Sequence, residues 1–215
     1  METTAIGIQH GEVGLPEGWR LMPLGDVTTM VMGQSPLSDT YNTVGNGMPF
    51  LQGKANFTQL HPKPKVFCTS PIKVGRQGST LISVRAPVGD VNLADQDYVI
   101  GRGLASLRIK SGDDFFLFYL MLFNQRRIAE LGSGTTFQSI NKTTLDTFPV
   151  LLPPPTEQRA IASTLRAAQA AVQARRRAIE LERERKAALM QALFTKGTRG
   201  EATKMTEIGE VPESW

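Results

Sequence analysis

Residues 156–196 contain neither glycine nor proline, and they follow the junction Leu151-Leu152-Pro153-Pro154-Pro155-Thr156-Glu157-Gln158-Arg159. Alanine, arginine, glutamate and leucine dominate the stretch, which are among the residues with the lowest cost of entering a helix. The three prolines stop the helix from extending backwards, Thr156 is the expected cap, and Glu157 suits the positive end of the helix dipole. A single helix over 153–196 is therefore expected, and about 40 residues at ~1.5 Å each span about 60 Å. Along it Leu165, Val172, Ile179 and Leu193 share one seven-residue column, while Ile161, Ala168 and Leu189 share the adjacent one. Arg175, Glu182 and Lys186 interrupt those columns, so the stripe is narrow and partly polar, which fits a coiled-coil seam better than a globular core. Such a seam needs a second helix, from another copy or from a missing second half. The alternative is a solvated helix held by pairs such as Glu182 with Lys186, worth about 0.2–0.5 kcal/mol each.

The remainder of the 215 residues suffices for one globular domain. Its charge is uneven: residues 54–110 hold nine Lys/Arg against three Asp and no Glu. A concentrated basic region is compatible with a phosphate backbone, and also with a solvated surface that has no partner. Cys68 is the only cysteine, which excludes an internal disulfide framework and makes a reducing cytoplasm the expected location. The longest apolar run, Phe115 to Phe123, is far short of the roughly 18–20 residues that cross a bilayer.

Residues 1–18 are read as a tail and lead-in segment, extended because Pro and Gly interrupt any helix up to Val27, with Trp19 and Leu24 tucked into a core. Residues 19–152 form the domain. Its strand signals are Val66–Thr69, Ser79–Arg85, Tyr98–Ile100 and Leu104–Ile109, bounded by Pro71, Gly75, Gly78, Pro87, Gly89, Gly101 and Gly103. One strongly bent mixed sheet is expected from that spacing. Asp113 and Asp114 then open a helix that runs to Leu131 before Gly132, apolar on all sides at its start and hence buried, with Arg126, Arg127 and Glu130 emerging. A last strand is expected over Phe148–Leu152, making the fold class α+β: one globular domain followed by a long helix that pairs as an antiparallel coiled coil. Residues 197–215 read as a linker and the start of an absent second repeat. They end in Gly209-Glu210-Val211-Pro212-Glu213-Ser214-Trp215, which echoes Gly11-Glu12-Val13-Gly14-Leu15-Pro16-Glu17-Gly18-Trp19 with two residues inserted in the first copy.

Motifs for catalysis are missing from the sequence. The histidines, His10 and His61, have no cysteine or histidine at metal-ligand spacing, and no glycine-rich run continues into a Lys-Ser/Thr phosphate loop. The pairs Asp113/Asp114 and Asp95/Asp97 sit where capping and solvation explain them. The turn from Gly132 to Thr136 could present backbone N–H groups as an anion nest, with Thr135, Thr136, Ser139, Asn141 and Lys142 as further donors, or be a glycine helix stop followed by a polar turn.

Taken in order, Pro16-x-x-Trp19 with Leu24-Gly25-Asp26, Gly33-Gln34-Ser35-Pro36, Leu81-Ile82-Ser83-Val84-Arg85-Ala86-Pro87-Val88-Gly89, Gly134-Thr135-Thr136-Phe137-x-x-Ile140 and Leu152-Pro153-Pro154-Pro155-x-Glu157-Gln158-x-x-Ile161 carry a resemblance. Together they make the chain similar to the DNA specificity subunit of type I restriction–modification systems, in a half-length form with one target recognition domain and one spacer helix. The resemblance implies two recognition domains per complete unit, each followed by a helix, with the helices antiparallel. It implies no catalysis and no cofactor in this chain: adenine methyltransferase subunits would carry S-adenosylmethionine, and a restriction or translocase subunit could join them. Two copies would then pair as a homodimer on double-stranded DNA through Ile161, Leu165, Ala168, Val172, Ile179, Leu189 and Leu193. The residues alone leave open a non-catalytic coiled-coil scaffold or adaptor with a basic binding domain.

Side chains on Gly/Pro-flanked turns are the expected DNA contacts: Gln34, Ser35, Lys54, Asn56, Arg76, Gln77, Arg85, Arg102, Ser133, Thr135 and Thr136. Arginine can bond guanine in bidentate fashion and glutamine or asparagine can do so with adenine. Arg85 serves either this role or an internal ion pair with Asp90 or Asp97.

Overall fold

Strands in the first part of the chain are short because glycine and proline interrupt nearly every apolar run. A computed structural model describes residues 14–132 and 139–215, which divide into two units, Met1–Ser163 and Thr164–Trp215. The first unit runs β1 (Arg20–Pro23), α1 (Leu24–Val27), β2 (Thr28–Met32), β3 (Tyr41–Asn42), β4 (Met48–Leu51), β5 (Val66–Cys68), β6 (Val74–Gly75), β7 (Thr80–Ser83), β8 (Val91–Leu93), β9 (Tyr98–Ile100) and β10 (Leu104–Ile109). It continues through α2 (Asp114–Phe123), α3 (Gln125–Leu131), α4 (Lys142–Asp146) and β11 (Pro149–Leu152) into the start of α5 (Pro155–Lys196). The second unit holds the rest of α5 with β12 (Thr203–Thr206) and β13 (Gly209–Pro212).

The fold is α+β, but the single bent sheet divides in two. One sheet is antiparallel in the order β2-β10-β7-β8, and the other has the order β3-β5-β4-β9-β6, with β4 and β9 parallel. The division occurs between Ile100 and Leu104, where a turn closed by Leu104 N–H on the Gly101 carbonyl (3.0 Å) passes the chain from β9 to β10. Leu51, Leu81, Tyr98, Ile100 and Leu104 form one buried cluster that ties the two sheets together. A separate ribbon of β1 and β11 joins the beginning of the domain to its end, with Leu21 opposite Leu151.

The expected strands at 66–69, 79–85, 98–100 and 104–109 correspond to β5, β7, β9 and β10, and Phe148–Leu152 to β11. The segment before Val27 is not wholly extended: Leu24–Val27 makes one helical turn, its end closed by Lys110 Nζ donating to the carbonyls of Gly25 (2.8 Å) and Asp26 (2.9 Å). Leu24 is fully buried, whereas Trp19 is half-buried and donates through Nε1 to Glu157 Oε2 at 3.0 Å. Trp19 thus packs at the foot of the long helix instead of in the core.

Asp113 caps α2 as its position implies, accepting from the N–H groups of Phe115 (2.8 Å) and Phe116 (3.1 Å). Phe116, Leu117, Phe118 and Met121 are buried in the core, the last three in one cluster with Ile82, Leu107 and Ile128, each such side chain contributing about 1.5–3 kcal/mol. Two expectations need correction. The helix to Leu131 is broken at Asn124, whose buried side chain donates to the Leu120 carbonyl (2.8 Å) and accepts from Arg127 Nη1 (2.7 Å). Such local bonding competes with the helical ladder. Nor is α2 buried all round, since Phe123 is 79% exposed.

The long helix begins at Pro155, with Glu157 and Gln158 N–H both donating to the Pro154 carbonyl (2.9 and 3.0 Å). Thr156 therefore lies inside the first turn and does not cap it; proline is suited to the first helical position because no N–H is needed there. Gln158 is almost fully buried, donating through Nε2 to the Pro153 carbonyl (2.9 Å) and accepting from Asp113 N–H (3.4 Å). This one side chain ties the foot of α5 to the cap of α2.

In the second unit Gly197, at φ +66°, ends α5 with its N–H on the Leu193 carbonyl (3.0 Å). What reads as a linker folds as the hairpin β12–β13, and Trp215 packs edge-on to Phe194 with ring centroids 6.4 Å apart. The sequence echo is also a local structural one: Trp19 N–H donates to Pro16 carbonyl (3.0 Å), and Trp215 N–H to Pro212 carbonyl (3.1 Å). Among the described residues no helix is long and apolar enough to cross a membrane.

Replacing Gln158 with Leu should leave the Pro153 carbonyl without its partner and destabilise the domain by about 1–3 kcal/mol. A denaturant titration checks this, and an unchanged midpoint would show that the junction does not depend on that amide.

Candidate nucleic-acid interface

Three glycines allow neighbouring loops of the domain to pack backbone against backbone. A Cβ on Gly33 would lie 2.2 Å from the Gly101 carbonyl oxygen, one on Gly103 would lie 2.6 Å from the Gln52 carbonyl oxygen, and one on Gly101 would lie 2.9 Å from Gln52 Cα. No side chain fits in these gaps. Hydrogen bonds stitch the loops in sequence: Gln34 N–H to Ile100 carbonyl (2.9 Å), Gly101 N–H to Leu51 carbonyl (2.8 Å), Gly103 N–H to Gln52 carbonyl (3.1 Å) and Val84 N–H to Gly103 carbonyl (2.9 Å). Ile140 N–H donates to the Val84 carbonyl (2.9 Å), and Arg85 and Ser139 form an isolated bridge. The result is a ridge made of four loops and the segment around Ser139.

Gln34, Ser35, Arg85 and Arg102 are brought together on this ridge. Gln52 joins them: its Nε2 donates to Ser35 Oγ (2.8 Å), Ser35 Oγ lies 3.0 Å from Gln52 Oε1, and Arg102 N–H reaches Ser35 Oγ at 3.3 Å. Sequence reasoning missed Gln52, and the adjacent Gly53 was the only local signal. Arg85 and Arg102 are exposed and, among the described residues, enter no ion pair. The internal pair considered for Arg85 does not form, because Asp90 is taken by Lys54 and Gln125 Nε2 (3.1 Å), and Asp97 by Arg76. Ser133, Thr135 and Thr136 lie outside the described residues.

The remaining candidates make internal bonds. Lys54 Nζ is paired with Asp90, and Asn56 Nδ2 donates to the Lys63 carbonyl (3.1 Å). Arg76 Nη1 lies 2.6 Å from Asp97 Oδ2, Gln77 N–H donates to Asp97 Oδ1 (2.8 Å), and Gln77 Nε2 donates to the Asp95 carbonyl (3.0 Å). Arg76 and Asp97 stand at the beginning of β9, whereas Gly101 and Arg102 follow its end. The Gln77 N–H, and then Arg76, hold the Asp97 carboxyl below its ordinary value of 3.8. Burial, then the bond to Asp95 Oδ1 (2.5 Å), pushes the Tyr98 hydroxyl up to about 12.

On α5, Leu165, Ala168, Val172, Ile179, Leu189 and Leu193 are exposed, and Ile161 is half-buried. A shallow hollow on the helix surface is lined by Ala178, Ile179, Glu182, Arg183 and Lys186.

Asp97→Asn should remove a carboxylate whose folded-state affinity for a proton is depressed. The stability that ionised Asp97 contributes is present above the ordinary carboxylate range and is lost as pH falls through its lowered folded value. The wild-type advantage over the variant, measured by urea unfolding from neutral pH downward, should hold at neutral pH and shrink below about pH 4. A pH-independent difference would remove this account.

Comparison with known proteins bears on what such a ridge does. Residues 16–183 match the family described as type I restriction modification DNA specificity domain. A protein of Methanocaldococcus jannaschii named as the putative MjaX specificity subunit of a type I restriction enzyme is 41% identical over 192 residues, covering 87% of this chain and 45% of that protein. The EcoDI specificity subunit of Escherichia coli is 28% identical over 190 residues, covering 88% and 40%. The crystal structure of the HsdS subunit from Thermoanaerobacter tengcongensis superposes with a TM-score of 0.67 at 43% identity, covering 85% of this chain and 46% of that one. A chain from a study of complex assembly and conformational transition in the type I R-M system gives 0.70 at 45% identity, covering 88% and 48%. This chain spans about half the length of these relatives. With a family match over residues 16–183 and a relative 41% identical over 87% of its length, the chain belongs to the type I restriction–modification DNA specificity family.

Proposed function

We propose that this chain is a specificity subunit that reads one half of a two-part double-stranded DNA site and positions adenine methyltransferase subunits, and a restriction subunit where one is present. The observation that carries the reading is the ridge, where Arg85 and Arg102 are exposed beside Gln34, Ser35 and Gln52 without carboxylate partners among the described residues. Arginine supplies phosphate attraction and bidentate guanine contact, and the amides offer donor and acceptor pairs suited to adenine. In this reading the chain is non-catalytic and binds no cofactor; S-adenosylmethionine is held by the methyltransferase partner in the cytoplasm.

The exposed stripe on α5 supports pairing with a second copy as an antiparallel coiled coil, so that two recognition domains are present per assembly. Identical domains related by a two-fold axis read inverted-repeat half-sites. Adenine methylation mapped across a host genome, with this chain and its candidate modification subunit compared with that subunit alone, should give a chain-dependent two-part palindrome. An asymmetric motif would point to a different second half, and no new motif despite a formed complex would defeat the DNA-reading role.

The ridge also separates its members by variant. Arg102→Ala and Arg85→Ala should each weaken cognate binding by the assembled complex by about 1–3 kcal/mol if they touch bases. Arg76→Ala should act chiefly by removing the Asp97 pair. Titrations over a range of salt concentrations check this; cognate affinity and salt slope unchanged in both ridge variants would move the interface elsewhere.

A further inference from the structure

The helix columns define the layers that a second copy must meet. Leu165, Val172, Ile179, Lys186 and Leu193 occupy one column, and Ala168, Arg175, Glu182 and Leu189 the other. A parallel in-register pair sets like positions opposite each other, so Arg175 would face Arg175, Glu182 would face Glu182 and Lys186 would face Lys186. Three layers would bring like charges together at short range. An antiparallel pair opposes one column to the other, and only registers one heptad apart keep both seams in contact.

We infer that two copies of this chain pair in the antiparallel register whose two-fold axis passes at the height of Arg177; this rests on the homodimer reading above. In that register Leu165 meets Leu189 of the second copy, Ala168 meets Lys186, Val172 meets Glu182 and Ile179 meets Arg175. The two leucine layers are apolar on both sides, and the smallest residue of the seam stands opposite the long lysine stem. Every charged seam residue faces an apolar one, over which its alkyl stem can lie while its head reaches water. Arg175 also comes within one layer of Glu182 of the second copy, and the symmetry repeats that pair.

A shift of one heptad in one direction puts Lys186 opposite Arg175, twice. A shift in the other direction puts Leu165 opposite Glu182 and Val172 opposite Arg175, and leaves no layer of two leucines. The surface hollow is consistent with a helical seam in any of these registers, and the charge and leucine layers decide between them. Four of its residues, Ile179, Glu182, Arg183 and Lys186, have the i, i+3, i+4, i+7 spacing of a knobs-into-holes socket. The inferred register brings Val172 of the second copy to that socket.

The register sets a distance. With the axis at residue 177, the two copies of Pro155 lie roughly 65 Å apart along the helix direction, and a one-heptad slip changes this by about 10 Å. That slip corresponds to about three base pairs of DNA. The seam would therefore determine the length of the unread spacer between half-sites.

Ala178 lies next to its own symmetry mate in this register and not in its one-heptad neighbours. Since the native Cys68 is buried, an introduced cysteine can be read without interference. The full-length Ala178→Cys chain, alone and with the candidate modification subunit, is treated with a short bismaleimide, beside wild type and Leu165→Cys. The mass of the untreated chain is measured in parallel. The expected result is a doubled mass on a denaturing gel for Ala178→Cys, none for wild type or Leu165→Cys, and a covalent dimer again for Leu165→Cys/Leu189→Cys. If the Ala178→Cys chain is dimeric by mass yet stays unlinked, the register is overturned and the homodimer stands. Linkage of the single variant Leu165→Cys establishes a parallel pair, and a strict monomer in both conditions removes the homodimer reading itself.

Discussion

The close approach of Gly33, Gly101 and Gly103 to neighbouring backbone is the constraint on which the recognition domain depends. Between Ile100 and Leu104 the chain must leave one sheet and enter the other, and it does so while Gln34 N–H and Gly33 N–H donate to Ile100 and Leu104 carbonyls (both 2.9 Å). A residue with a side chain at Gly33 would meet carbonyl oxygens, which cannot move without loosening both sheets. The ridge is thus a consequence of the crossover. Gln34, Arg85 and Arg102 are exposed on loops that this backbone stitching joins to one another.

Charge on the same domain has two uses that differ in geometry. Lys54 and Arg76 are matched by Asp90 and Asp97, and these pairs pin the short turn after β4 and the start of β9. Arg85 and Arg102 have no such carboxylate among the described residues. A partly exposed pair contributes little to stability, about 0–1 kcal/mol, yet it removes a cation from the potential that an approaching phosphate meets. The basic composition of residues 54–110 therefore overstates the free positive charge, and what is left includes the two arginines of the ridge.

How much of this was legible follows from how local each determinant is. Strands β5, β9 and β10 could be found because β-branched runs are bracketed by glycine or proline, and α5 because nothing interrupts it. Strand β2, Thr-Thr-Met-Val-Met, was missed although three of its residues favour strands, because its pairing to β10 comes from residues far along the chain. The break at Asn124 depends on a side chain turning back onto the Leu120 carbonyl in competition with the helix, which periodicity does not reveal. The partners of Lys54 and Arg76 are 36 and 21 residues away, so their internal role was invisible to a reading by turns. Gln52 was missed for a related reason: its significance lies in Ser35 and Gly101, neither of which is its neighbour in sequence.

The foot of α5 connects these levels. Gln158 is held by the Pro153 carbonyl and by Asp113, the residue that caps α2, so the first turn of the helix is anchored to the recognition domain's own core. Trp19 adds a bond to Glu157 from the opposite end of the domain sequence. In the proposed reading α5 acts as a ruler, and a ruler needs its first turn to be held in register with the domain that it serves. With about 1.5 Å of rise per residue, an error of a single helical turn at the foot exceeds the spacing of one base pair. Buried hydrogen bonds fix the first turn and the apolar stripe beyond it stays exposed, an arrangement that suits the two-part reading of DNA proposed above.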